Sequence, residues 1–178
     1  MLILLGLAAQ LTVAVPSDTP PPSPPVRARP QAVEVSDWYQ RRLTLHRRLS
    51  YAVLPLFAFQ YAAGREKWDQ AEGRGLAPAW ARDGHLIGAY AIGTVFTANA
   101  VTGVWNLWDS RMVREGRTRR YLHGASMLTA TAGFTWAGAV LSQQAATDPE
   151  KRRLHRSVAI TSMAISVTSG LLMWFFND

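Results

Sequence analysis

The sequence predicts an all-α membrane protein: an antiparallel bundle of four transmembrane helices, with an N-terminal apolar segment and a proline-rich tether. All twelve acidic residues fall outside four apolar segments of about 20 residues each, the length at which a helix crosses a bilayer. The middle of each segment lacks the polar face of a soluble bundle helix. Tryptophan and tyrosine concentrate near the segment ends, where membrane helices meet lipid headgroups.

The N-terminal region divides into two parts. Residues 1 to 15, MLILLGLAAQLTVAV, give only about 22 Å of helix, which is shorter than a hydrocarbon core of about 30 Å. They are predicted to be a signal-like segment or an anchor, although the basic start of a signal peptide is missing. Residues 16 to 42 form a tether and pre-helix, and seven of the ten prolines lie there.

Residues 43 to 178 are predicted to form the transmembrane domain. The four spans are Leu43 to Ala63, His85 to Trp108, Arg120 to Leu141 and Leu154 to Phe176, joined by charged loops at 64 to 84, 109 to 119 and 142 to 153. Pro55 is expected to kink the first span. Four spans place both termini on one side, which is the periplasmic side if residues 1 to 15 are exported.

The distribution of charge does not decide the orientation in the membrane, but it bears on which classes of partner are expected. Nine basic residues near the spans lie on the N-terminal side and eight on the other, so the positive-inside rule decides nothing. The net charge of +7 comes without a nucleic-acid-binding module, so no nucleic acid is expected as a partner. Seventeen arginines against two lysines suggest a GC-rich bacterium, and we expect a bacterial inner membrane.

Several chemistries are excluded by residue type. The chain has no cysteine, which excludes disulfides, thiolate iron–sulfur ligation and covalent haem attachment. A glycine-rich phosphate loop, paired catalytic carboxylates and a serine–histidine–acid order are also missing. None of these residue patterns points to a stand-alone enzyme.

The chain has four histidines, and each opens a different span. Antiparallel connection puts His46 and His123 on one membrane side, and His85 and His155 on the other. Two imidazoles per side suit the axial positions of one iron, supplied by helices one and three or by helices two and four. The positive helix N-termini and the neighbouring arginines favour the neutral imidazole that iron binds.

Arginines and small residues suit a macrocycle at these positions. Five arginines are candidates to pair with haem propionates: Arg47, Arg48, Arg82, Arg120 and Arg156. Small residues one or more turns below His85, His123 and His155 leave room for a planar ligand, whereas the face below His46 is bulkier. Small residues also serve plain helix packing in lipid.

Three other interpretations stay open. Each histidine alone could be an interfacial residue bonded to headgroups or backbone. A metal-ion transporter could use histidines, but the spans hold no acidic residue and the histidines lie near opposite surfaces. A cofactor-free structural or assembly subunit of a membrane complex would need only packing and interfacial edges.

Residues 43 to 176 resemble the core of the transmembrane cytochrome b561 family, through four successive helices with one histidine each, paired first with third and second with fourth. The resemblance implies two non-covalent b-type haems on opposite membrane sides, with His46, His85, His123 and His155 as axial ligands. The chain departs from the six-helix members by lacking the two flanking helices. It also differs from four-helix respiratory b-type subunits, where two ligands usually come from one helix.

The expected function is transmembrane electron transfer, as a cytochrome or a subunit of an oxidoreductase. The two irons would lie about 20 to 25 Å apart along the membrane normal. Ligation by two histidines leaves no open iron position, so oxygen activation is not expected. The expected partners are membrane lipid, an electron donor and acceptor such as a quinone, a soluble cytochrome or other redox subunits, and a larger membrane complex.

Overall fold

Four long helices account for most of the chain in the computed structural model, which describes residues 36 to 175. They are α1 (Asp37–Ala71), α2 (Ala79–Asp109), α3 (Arg117–Thr135) and α4 (Pro149–Phe175). α3 continues through a π-helical turn, Trp136–Leu141, and one last α-helical turn, Ser142–Gln144. No strand occurs among these residues. The all-α prediction is thus confirmed, while the signal-like segment and most of the tether lie outside the described residues.

The first helix is longer than its predicted span at both ends. It begins at Asp37, where the Ser36 hydroxyl accepts a hydrogen bond from the Tyr39 backbone N–H at 3.3 Å. It continues to Ala71, through Gly64, which the sequence placed in a loop. Pro55 lies within this continuous helix.

The connection between α1 and α2 is therefore residues 72 to 78, much shorter than the predicted loop of residues 64 to 84. Gly73 and Gly75 have φ angles of 75° and 130°, which side chains other than glycine rarely adopt. Pro78 occupies the position before α2, and its carbonyl accepts hydrogen bonds from the Ala81 and Arg82 backbone N–H groups. Gly73 and Gly75 therefore form the turn. Gly64 and Gly84 lie inside the helices, where each allows a side chain of the neighbouring helix to pack closely.

The helices pair as two antiparallel hairpins, α1 with α2 and α3 with α4, and the hairpins meet where α2 packs against α3. We call the end where α1 begins the first face and the opposite end the second face. At the first face, Arg42 of α1 forms an ion pair with Asp109 of α2. Its guanidinium also donates to Asn106 Oδ1 at 3.3 Å and lies 4.7 Å from the Trp105 ring centroid. These contacts close the first hairpin.

Three phenylalanines join the hairpins midway between the faces. Phe57, Phe96 and Phe134 come from α1, α2 and α3, with ring centroids 4.9 to 5.8 Å apart. Phe57 and Phe96 are almost fully buried, and Val53, Ile92 and Ala130 complete the apolar cluster. The main side-chain core is therefore at the centre of the bundle.

Elsewhere the polarity of the bundle is inverted relative to a water-soluble protein. Many large apolar side chains on the helices are exposed, among them Leu86, Ile87 and Tyr90. Polar side chains are buried between the helices: Gln60, Asn99, Thr102, Asn106, Ser162, Ser166 and Ser169. Such a distribution favours lipid as the surrounding solvent.

Two helices, Ala79–Asp109 and Pro149–Phe175, are long and apolar enough to cross a membrane. In α1 the apolar stretch lies between clusters of charged residues at both ends. In α3 the α-helical part is only 19 residues and contains Arg117, Arg119 and Arg120. The membrane prediction thus has support from α2 and α4, and the crossing of α1 and α3 remains a prediction.

Candidate functional site

The four histidines form two couples, one near each face. His46 of α1 and His123 of α3 have ring centroids 6.3 Å apart, with ring planes at 81°. His85 of α2 and His155 of α4 have centroids 6.2 Å apart, with planes at 64°. The sequence predicted that helices one and three would pair one histidine each, as would helices two and four, and these are the rings that lie together. Each couple takes one ring from each hairpin.

Three of the four rings have a hydrogen-bonding partner at Nδ1. His46 Nδ1 lies 3.2 Å from Thr102 Oγ1. His123 Nδ1 lies 2.9 Å from Ser169 Oγ and 3.3 Å from the Ser169 carbonyl oxygen. His155 Nδ1 donates to the Ala137 carbonyl at 3.0 Å. All of these partners belong to the same hairpin as the histidine. Because the hydrogen bonds use Nδ1, the Nε2 atom of each of these three rings is left without a hydrogen bond among residues 36 to 175.

A carbonyl oxygen can only accept a hydrogen bond, which assigns the proton on two of the rings. His123 and His155 must carry hydrogen on Nδ1 and a lone pair on Nε2. His46 follows the same pattern, because Thr102 Oγ1 already donates to the Ala98 carbonyl at 2.8 Å and can accept from Nδ1. An imidazole that binds a metal through one nitrogen typically donates a hydrogen bond from the N–H of its other nitrogen in this way.

The group facing each ring occupies the same position in every helix. Gln60, Asn99, Ala137 and Ser169 each come fourteen residues after the histidine of their own helix. The Asn99 backbone faces His46, the Gln60 backbone faces His85, and Ala137 and Ser169 bond to His155 and His123. His85 Nδ1 is the exception, since it is buried without a hydrogen bond. The two hairpins thus repeat one internal design.

The π-helical turn of α3 contains one of these groups. Ala137 is its second residue, and its side chain offers no hydrogen-bonding atom. A π turn lengthens the backbone hydrogen-bond step from four residues to five, and such turns often occur at functional sites. Here the backbone carbonyl of Ala137 takes the role that Ser169 performs in α4.

Two glycines allow the rings to lie against the neighbouring helix. A Cβ at Gly103 would stand 3.1 Å from His46 Cε1, and a Cβ at Gly64 would stand 3.2 Å from His85 Cε1. Gly64 and Gly103 each come eighteen residues after the histidine of their helix. By contrast, Gly88 lies against Gln60 and Phe59, so its small size serves the contact between α1 and α2.

The five candidate arginines differ in their surroundings. Arg47, Arg48 and Arg82 are exposed near the histidines of their helices. Arg120 instead organises the α2–α3 connection by donating to the backbone carbonyls of Ser110, Val113 and Glu115. The Arg156 guanidinium lies 4.6 Å from the Trp68 ring centroid. Lys67, which was not among the candidates, lies close enough to both His85 and His155 to act on them electrostatically.

The spacing of each couple fits one iron between two imidazoles. A bond from a metal to an imidazole nitrogen is about 2 Å, and that nitrogen lies about 1 Å from its ring centroid, so two axial rings have centroids about 6 Å apart. The couples measure 6.3 and 6.2 Å. Among residues 36 to 175, no group of three or more His, Cys, Asp or Glu side chains could hold an ion. Each couple supplies two nitrogens, which is the number of axial positions on a haem iron.

Comparison with known proteins adds no relative: no protein-family model, curated protein or solved structure matches this chain.

Sequence reasoning missed the residues that hold the rings. Thr102, Ser169 and Gly64 were not singled out, and Gly103 was noted only as one of the small residues below His85. The offset of fourteen residues from each histidine, and of eighteen from His46 and His85, is nevertheless visible in the sequence. The residues at these offsets can be recognised as contacts of a histidine only once the antiparallel partner of each helix is known, because each of them contacts the histidine of the partner helix.

Proposed function

We propose that this chain carries electrons across a membrane through two b-type haems, one held by His46 and His123 and the other by His85 and His155. The proposal depends on one observation: both couples have the centroid separation that an iron with two axial imidazoles requires. Bound haem supplies a centre that accepts and releases one electron.

The protein contributes the orientation of the rings. The Nδ1 contacts within each hairpin leave Nε2 free, and the glycines let the rings approach the adjacent helix. Two histidines on each iron would leave oxygen no place to bind. This arrangement suits electron transfer and not oxygen chemistry.

The distance between the couples suits a relay across one membrane. His46 and Gly64, which lies against His85, are eighteen residues apart in α1, or about 27 Å of helix. The phenylalanine cluster fills the middle of this distance. Each haem would therefore lie nearer to one surface, where an electron donor or acceptor can approach.

The neighbouring cations suit haem propionates. Arg47 and Arg48 are available at the first face, and Arg82, Arg156 and Lys67 at the second. Arg120 already bonds to three carbonyls, so its part is to hold the α2–α3 connection beside the first couple. We propose a quinone, a soluble cytochrome or other redox subunits as electron partners, in a bacterial inner membrane.

Purification in detergent with a haem assay and oxidised and reduced spectra tests the proposal. The unmodified chain should bind two low-spin b-type haems. The double variant His46→Ala/His123→Ala should bind one, and His85→Ala/His155→Ala should also bind one.

A matched control uses one histidine from each couple. His46→Ala/His155→Ala removes the same number of imidazoles but damages both couples, so it should bind none. A chain without haem, or a control that keeps one, would contradict the proposal.

A further inference from the structure

The two couples differ in what contacts their Nδ1 atoms. At the first couple, side-chain hydroxyls reach both rings: Thr102 Oγ1 lies 3.2 Å from His46 and Ser169 Oγ lies 2.9 Å from His123. At the second couple, His155 bonds only to the Ala137 carbonyl, and His85 Nδ1 has no hydrogen bond. The two couples therefore differ in the hydrogen bonds that the candidate ligands themselves make through Nδ1.

Both hydroxyls are buried, and both can act as acceptors. Thr102 and Ser169 are 9% and 4% exposed, so water does not compete strongly for these contacts. The Thr102 hydroxyl gives its hydrogen to the Ala98 carbonyl at 2.8 Å. The Ser169 hydroxyl has the His123 carbonyl as an acceptor at 3.5 Å. Each hydroxyl oxygen is then free to accept from an imidazole Nδ1–H.

A hydrogen bond accepted from Nδ1–H makes the opposite nitrogen a stronger donor to a metal. A stronger axial donor favours ferric over ferrous iron, and second-shell hydrogen bonds are one of the means by which a protein sets a haem potential. The first couple has such a bond on both rings and the second couple on one. The first couple is therefore the stronger pair of ligands.

The two cations that act most directly on the rings, Arg47 and Lys67, do not reverse this order. Arg47 acts on His46, and Lys67 acts on His85 and His155, but both side chains lie in exposed residues, where solvent screens their charge. Arg42 at the first face is neutralised by Asp109. Lys67 would favour the ferrous state at the second couple, which acts in the same direction as the hydrogen bonds.

We propose that Thr102 and Ser169 are positioning residues that hold His46 and His123 in the Nδ1–H form, and that they give the first couple the lower midpoint potential. This inference rests on the proposed function. This order of potentials would set the direction of electron transfer. With both haems bound, an electron from a one-electron reductant would enter at the first face, and a one-electron oxidant would take it up at the second face.

Potentiometric titration in detergent tests the order of the couples. The haem retained by His85→Ala/His155→Ala, which is held by the first couple, should titrate at a lower potential than the haem retained by His46→Ala/His123→Ala. The opposite order, or equal potentials, would overturn the proposal.

Single variants of the full chain test the assigned residues. Thr102→Val and Ser169→Ala should each raise the potential of the first-couple haem and leave the other unchanged. Thr94→Val and Ser162→Ala are matched controls, because these hydroxyls bond only to carbonyls in their own helices. Unchanged potentials in both Thr102→Val and Ser169→Ala would refute the assignment.

A measurement on the chain prepared without haem separates this inference from the proposed function. Nitrogen-15 NMR of the imidazoles should show protonated Nδ1 and unprotonated Nε2 at His46 and His123. Thr102→Val should produce a mixture of tautomers at His46 alone. A mixture at His46 in the unmodified chain would contradict the positioning role even if both haems bind, whereas a chain that binds no haem would contradict only the proposed function and the potential order that depends on it.

Discussion

Gly103 lies against the ring of His46, so that a Cβ added there would stand only 3.1 Å from Cε1 of the imidazole. Gly64 has the same relationship to His85, at 3.2 Å. Both glycines lie inside α-helices, where glycine costs about 1 kcal/mol relative to alanine. Close approach of a ring to the helix backbone explains why these positions have no side chain.

A bulky residue at either glycine should therefore displace one histidine. On the proposed function, Gly103→Leu should lose the haem of the first couple and Gly64→Leu the haem of the second, as measured by haem content and reduced spectra. Gly93→Leu is the matched control, since nothing lies within 4 Å of a Cβ there. Equal haem loss in all three variants would mean that general helix disruption, and not ring displacement, is responsible.

Gln60 offers a test of buried polarity. Its side-chain Oε1 is buried without a hydrogen-bonding partner. Replacing a buried unsatisfied group by an apolar one of similar size removes its desolvation penalty, so Gln60→Leu should raise the free energy of unfolding by about 1 kcal/mol. Unfolding in mixed detergent micelles measures this, with exposed Gln143→Leu as the control. A lower stability of Gln60→Leu would show that the amide has a partner in the folded protein.

Arg42 should contribute more to stability than the neighbouring Arg41. Arg42 pairs with Asp109, bonds to Asn106 and stacks over Trp105, with its side chain only 15% exposed. We expect Arg42→Ala to lower the free energy of unfolding by about 2 kcal/mol, between the values for surface and buried pairs.

The control for this prediction is Arg41→Ala. Arg41 contacts only the ring of Trp38 among the aromatic residues and forms no ion pair within residues 36 to 175. We expect a loss of under about 1 kcal/mol. A double-mutant cycle of Arg42→Ala with Asp109→Ala then isolates the pair, and a coupling energy of zero would contradict a stabilising pair.

The phenylalanine cluster should hold the hairpins together. Phe96 is 3% exposed and contacts Phe57 and Phe134, so Phe96→Ala should cost about 3 to 5 kcal/mol by leaving a cavity. Phe175→Ala is the control, because Phe175 is 76% exposed. Similar melting temperatures for the two variants would indicate that the cluster is not a core.

Shortening the π turn should affect one histidine. Deleting Gly138, whose added Cβ would meet nothing within 4 Å, should return this turn to α-helical bonding and turn the Ala137 carbonyl away from His155. Imidazole nitrogen-15 spectra should then change at His155 and not at His123. No change at His155 would mean that the π turn does not position it.

The helical fold and the membership of the two couples were predictable for a simple reason. Acid-free segments mark the middle of each helix, and antiparallel connection fixes which helix ends share a face. His46 and His123 could therefore be paired without knowing any helix–helix contact. The pairing depends only on the order of the helices along the chain, because alternate helices run in the same direction and begin on the same side.

Helix ends and ring contacts were less predictable because glycine and hydroxyl residues have several uses. Gly64 suggested a loop, but a glycine within a helix also marks close approach of another group. Thr102 and Ser169 look like the other hydroxyls of the helices until the facing helix is known. The π turn at Trp136–Leu141 has no residue type that marks it.

On the proposed function, an iron porphyrin at either couple would link the two hairpins, because each couple draws one imidazole from each hairpin. Biogenesis would then finish with cofactor capture, after both hairpins have entered the membrane. In cells starved of porphyrin, the hairpins would be held together by the α2–α3 connection and by side-chain packing alone, and such chains should be degraded faster by membrane proteases.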